Sequence, residues 1–228
     1  MRARRLVVPF LLSLCGPAAA QDSSIYIEFL WSRTPADALA RQQTRQFVMT
    51  GDHEHQICVA ATAATGDVGG LQLELRDADG KPVSLQHHDD YRGAKRCYRA
   101  DLGSGGRPGD WTAHVVLGDG GSNTATIRVD PRLEDSPLFQ QRDVPYVAGR
   151  PNYDASIAPE QWAGRLVWAM DVDPQGKVTH VEVEVAEGVG ERLRDRAIAA
   201  GYLSLFPPDP GRAGTPLRWR RSLDFAPR

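Results

Sequence analysis

Residues 164–185 read GRLVWAMDVDPQGKVTHVEVEV and residues 191–208 read ERLRDRAIAAGYLSLFPP; these two stretches decide how the second half of the chain folds. Leu166, Val167, Trp168, Ala169, Met170 and Val172 form a strand, and Asp173-Pro174-Gln175-Gly176 a turn. Proline presets φ there, and glycine takes positive φ without steric cost. Val181, Val183 and Val185 alternate with His180, Glu182 and Glu184, the mark of a half-buried strand with a polar outer face. Leu193, Ala197, Ala200 and Gly201 recur at helical spacing between Arg192, Arg194 and Arg196, and Pro207-Pro208 ends that helix. Downstream, Leu217, Trp219, Leu223 and Phe225 fall at alternating positions of a last strand. Upstream, residues 155–162 suit a short helix if Pro159 sits in its first turn. Residues 146–228 are therefore expected to form an α+β module, two helices covering one face of a three-stranded antiparallel sheet.

The first half reads differently. Residues 25–31, 56–62, 71–75, 96–102, 111–117 and 124–129 are short strand candidates between Gly- and Asp-rich turns, with Asp79-Gly80 as a hairpin signal. Such spacing predicts an all-β immunoglobulin-like sandwich over residues 22–130. Residues 34–46 are polar and read as a long loop or one helical turn. Residues 131–145, with Pro131, Pro137 and Pro145, read as a linker. Trp111 opens a strand and is expected to pack in the core against a Cys58–Cys97 bridge.

The N-terminus reads as an export signal. Arg2, Arg4 and Arg5 precede an apolar run, and Ala18-Ala19-Ala20 places small residues before Gln21, so residues 1–20 are expected to be removed. The run is shorter than the roughly 20 apolar residues of a spanning helix, and Leu14 before Cys15 does not suit a lipoprotein signal. Without the signal, Cys58 and Cys97 are an even pair in an oxidising compartment, and a bridge closing a loop of about 40 residues is worth roughly 4 kcal/mol. The formal charge of −2 gives no polybasic surface, so nucleic-acid binding is not implied.

Tyr153 and Ala155, Gly164, Asp173-Pro174-Gln175-Gly176-Lys177-Val178, Leu193 and Ala197, Phe206-Pro207-Pro208, and Gly214-Thr215-Pro216 occur in a fixed order over about 80 residues. In order and spacing, this set resembles the C-terminal domain of the TonB family of periplasmic energy transducers. The resemblance implies protein binding: in that family, a short extended segment of an outer-membrane transporter adds as a strand at the sheet edge. By position, the matching edge here is residues 216–225, with Pro216, Leu217, Arg218, Trp219, Arg220 and Arg221 as partner-binding positions. Arg218, Arg220 and Arg221 suit either protection of an edge from aggregation or recognition of an acidic peptide. The family's uncleaved membrane helix and Pro-rich spacer have no counterpart if the signal is removed. The expectation is thus a periplasmic interaction or adaptor protein associated with outer-membrane transport or envelope assembly. Its partner would be an envelope protein or, through the same edge, its own copy. A membrane-anchored transducer facing the periplasm is the alternative, and a mature N-terminus at Gln21 separates the two.

Enzyme motifs are missing: there is no phosphate-cradling glycine loop, dinucleotide fingerprint or nucleophile elbow. No cofactor or small-molecule substrate is therefore expected. The third reading is an envelope metal-binding protein. Asp52-His53-Glu54-His55 and His87-His88-Asp89-Asp90 gather four of the six histidines beside carboxylates, a ligand set suited to zinc, copper or nickel. His53, His55, His87 and His88 are the candidate ligands. His114 and His180 read as surface residues.

Overall fold

The structure is a computed structural model and describes residues 24–32, 38–51, 53–62, 70–88, 95–103, 106–118, 120–152 and 164–225. The export signal and the expected helix at 155–162 lie outside the described residues. The chain is mostly β, with fourteen strands and one α-helix among the described residues.

A six-stranded sheet and a five-stranded sheet make a β-sandwich. The first has the order β11 (Val147–Pro151), β2 (Ala40–Thr44), β1 (Ser24–Leu30), β4 (Gln56–Thr62), β8 (Lys95–Ala100), β7 (Leu85–His88). The second runs β3 (Gln46–Val48), β10 (Ser122–Asp130), β9 (Gly109–Val116), β5 (Gln72–Arg76), β6 (Pro82–Val83). Period-two alternation aims Phe29, Ile57, Leu75, Trp111, Ala113, Ile127 and Val129 between the sheets, where Phe47 joins them in one buried cluster. Each large side chain buried there contributes about 1.5–3 kcal/mol. The expected hairpin joins β5 to β6, with Gly80 at φ 78° and its N–H bonded to Asp77 O at 2.9 Å.

Trp111 sits in this inter-sheet core, but not against the disulfide. Cys58 lies between Ile57 and Val59, both core residues, so the pleat turns it to the opposite face of its sheet. It pairs in register with Cys97 on the neighbouring strand, Cα to Cα 4.1 Å. The bridge joins two adjacent strands of one sheet, and Leu30 packs beside it.

Two further expectations are corrected. Residues 40–44, read as loop or helical turn, are strand β2, and residues 131–145, read as a linker, lead into a strand of the six-stranded sheet. β11 pairs with β2 over five residues, Val147↔Thr44 to Pro151↔Ala40, although it falls inside the stretch assigned to the C-terminal module. Gly149 and Pro151 hide β11 in the sequence; proline is tolerated at its end because this is an edge strand. His87 and His88 belong to strand β7.

The rest forms a three-stranded antiparallel sheet ordered β13 (Val178–Glu187), β12 (Gly164–Val172), β14 (Leu217–Phe225), with α1 (Glu191–Tyr202) on one face. Leu166, Trp168, Met170, Val172, Val181, Leu193, Ala197 and Phe206 make its core. The turn residue Gly176 has φ +83°, and a Cβ there would stand 2.0 Å from the Phe206 carbonyl oxygen. The hairpin is docked on the segment after the helix: Phe206 N–H donates to Gly176 O at 3.0 Å and Asp209 N–H to Pro174 O at 2.8 Å.

Helix α1 is shared by both halves. Gly201 lies against Val181 of the three-stranded sheet, while on another side β11 crosses so closely that a Cβ on Gly149 would sit 1.6 Å from Ala200 O. Gln42 Nε2 donates to Leu203 O at 3.0 Å. Arg41, salt-bridged to buried Glu28, donates to Asn152 Oδ1 at 2.6 Å, and Arg196 of α1 donates to Asn152 O. Burial alone would raise the Glu28 pKa, but Arg41 and Lys95 outweigh it and hold the carboxyl below its ordinary value.

Candidate functional site at a sheet edge

The two border strands of the three-stranded sheet differ. β13 pairs with β12 through two register shifts, between Val167 and Trp168 and between Asp171 and Val172; such irregularities bend a strand and discourage further pairing. β14 pairs with β12 residue for residue, from Gly164↔Phe225 to Val172↔Leu217. On its outer side, β14 has no strand partner among the described residues. It is a regular strand, and no described strand occupies the outer side of its backbone.

Alternation splits β14 between two environments. Leu217, Trp219 and Leu223 are half-buried on the helix face, packed on the core, with Trp219 edge-on to Phe206 at 5.8 Å. Pro216 precedes the strand and is exposed. Arg218 and Arg220 lie on the opposite face. Arg218 reaches Asp171 at 3.2 Å, Glu182 at 2.7 Å and Glu184 at 2.8 Å, and Arg220 meets Glu184 at 2.8 Å. The hydrogen bonds from Arg220 and Arg218 hold the Glu184 carboxyl below its usual range. These arginines are engaged with carboxylates of the sheet itself, which leaves them little capacity for an acidic partner. Arg221 is turned the other way. Its guanidinium lies 5.7 Å from the Trp168 ring centroid, and Nη1 donates to Gly149 O at 2.8 Å.

That last bond belongs to a seal along β11, the border of the six-stranded sheet. Leu205 exchanges backbone bonds with Val147, at 2.9 Å and 3.4 Å, and Gly149 N–H donates to Ser204 Oγ at 3.0 Å. The C-terminal half closes the β11 border and leaves that of β14 without such a cover among the described residues.

Between them runs a cleft of about 430 Å³, lined on one side by Trp219 and Arg221 and on the other by Gln43, Arg45, Tyr146, Ala148 and Arg150. Arg150 Nη1 donates to Tyr26 Oη at 2.6 Å, while its buried Nε has no acceptor among the described residues. None of the residues on the far wall was among the expected site residues. They come from a stretch read as loop, from the unrecognised β11 and from Tyr146 just before it, and no local pattern links them.

Of the candidate metal ligands, His53 and His55 sit in different environments. His55 is buried, its ring stacked on Phe47 at 4.4 Å, with Nε2 3.0 Å from Val48 O and 3.2 Å from Val48 N. Burial depresses its pKa to about 3, so the ring is neutral. His53 is exposed beside Trp31, and the two imidazole centroids are 6.2 Å apart. Among the described residues, no group of three His, Cys, Asp or Glu side chains is gathered as a metal cluster; the side chains of His87 and His88 lie outside the described set. His114 is exposed and contacts Thr124 Oγ1 at 3.0 Å, and His180 is exposed.

No protein-family model matches the chain, and no curated protein matches it. Among solved structures, the chain is similar to the Lin-41 filamin domain at 15% identity and a TM-score of 0.33, a match spanning 50% of this chain and 96% of that one.

Proposed function

We propose that this chain is a periplasmic interaction protein that takes up an extended segment of an envelope protein as an added strand on β14, serving outer-membrane transport or envelope assembly as an adaptor. In this reading the sandwich is immunoglobulin-like and the C-terminal module is TonB-like. The observation that carries the proposal is the regular nine-residue pairing of β14 with β12 combined with an outer side that no described strand occupies. Unpaired N–H and C=O groups along such a border supply main-chain affinity to any extended peptide, while pockets beside it supply selectivity.

A photo-crosslinking side chain at Ser222, on β14, tests the proposal in the exporting cell. It is expected to trap an extended segment of one envelope protein, while the same group at Glu74, on the sandwich, traps none. Trapping from Glu74 with none from Ser222 would contradict the proposal.

A further inference from the structure

We infer that the segment received by β14 carries an acidic side chain whose carboxylate enters the cleft between β14 and the sandwich; the inference rests on the strand-addition reading above. Among the described residues, the charged side chains lining the cleft are Arg45, Arg150 and Arg221, and no described carboxylate lines it. Arg45 is exposed and has no side-chain partner among the described residues. Arg150 donates from Nη1 to the Tyr26 hydroxyl at 2.6 Å, a neutral partner that leaves the guanidinium charge to act on the cleft it lines.

The pleat selects which side chains arrive there. A strand added beside β14 alternates its side chains between the two faces of the sheet. Those on the face of Trp219 and Arg221 point to the cleft. Those between them emerge over Arg218 and Arg220, whose guanidinium groups are held by Glu182 and Glu184. Acid selectivity therefore lies on one face only, and every second residue of the segment is free of it. The ligand is a peptide carboxylate rather than a polyanion: three arginines line a cleft of about 430 Å³ on a chain whose formal charge is −2.

The test uses two fluorescein-labelled peptides, capped at both ends, of alternating valine and threonine with either glutamate or glutamine at the centre. Anisotropy titration on the mature chain is expected to show the glutamate peptide binding roughly tenfold tighter, the size of a charge-assisted hydrogen-bond advantage. That advantage shrinks with added salt. Arg45→Gln, an exposed substitution, reduces it, and Arg45→Gln with Arg150→Gln abolishes it. Amide resonances of Trp219 to Arg221 shift with both peptides. Equal affinity for the two peptides with those shifts retained overturns the acid preference and leaves strand addition standing. Absence of shifts with either peptide removes strand addition and the preference with it. Displacement of the glutamate peptide by vesicles of phosphatidylglycerol and phosphatidylcholine in equal parts, lost in the double variant, assigns the arginines to a lipid surface and overturns the proposal.

Discussion

His55 and Gly176 show what single positions do here. Unfolded, the His55 imidazole takes a proton near pH 6.5; folded, it does so only at about 3. On acidification the unfolded state therefore binds the proton first. The contribution of His55 to stability is full above pH 6.5 and declines as pH falls toward 3, by up to about 1.4 kcal/mol per unit. Urea unfolding from about pH 6.5 down to about pH 5, above the ordinary range of carboxylates, is expected to show this slope in the wild type. His55→Leu flattens it, and an unchanged slope in that variant would place its origin elsewhere. Gly176→Ala sets a methyl against the Phe206 carbonyl at a φ of +83°. It is expected to cost about 3 kcal/mol or more, read as a fall in Tm. The need for glycine at 176 was legible as turn chemistry, but the crowding by Phe206 was not, since it depends on a residue thirty positions away. The sequence also offered His55 as a metal ligand, because extended backbone puts His53 and His55 on one face; burial against Phe47 is a tertiary fact with no local trace.

At the level of elements, the strongly alternating strands were legible: β1, β4, β5, β9, β10, β13 and β14 fall where the hydrophobic pattern puts them, and α1 ends before Pro207-Pro208. Strands lacking alternation were missed. β2 is mostly polar, Arg-Gln-Gln-Thr after Ala40, and keeps its place through five paired positions on β11 against a single one, Leu30↔Gln43, on β1. The disulfide partners were legible from their number, but the cross-strand placement required the register of β4 on β8. That placement carries a prediction. Cys58→Ala with Cys97→Ala opens a loop of 39 residues and is expected to lower unfolding free energy by roughly 3–4 kcal/mol, measured in urea under oxidising conditions. A loss near zero would mean that the ladder alone fixes β4 on β8.

Taken as a whole, the two halves share packed contacts among the described residues. β11 completes the sandwich and packs on α1, and the cluster of Trp31, Val48 and Val147 draws Leu205 from the far half. A calorimetric scan is expected to show a single transition, and two separable transitions would contradict the shared helix. Ending the chain after Asp130 removes the main partner of β2, so that fragment is expected to melt lower and aggregate. Proline-rich residues 131–145 concealed this union, because a linker composition says nothing of where the chain goes next. The cleft beside β14 was illegible for the same reason: its walls come from three distant stretches of sequence. The availability of the β14 border is read most directly by hydrogen–deuterium exchange on the chain alone. Alternate amides along residues 217–224 are expected to exchange rapidly while those of β12 stay protected; protection of every β14 amide to the level of β12 would contradict it.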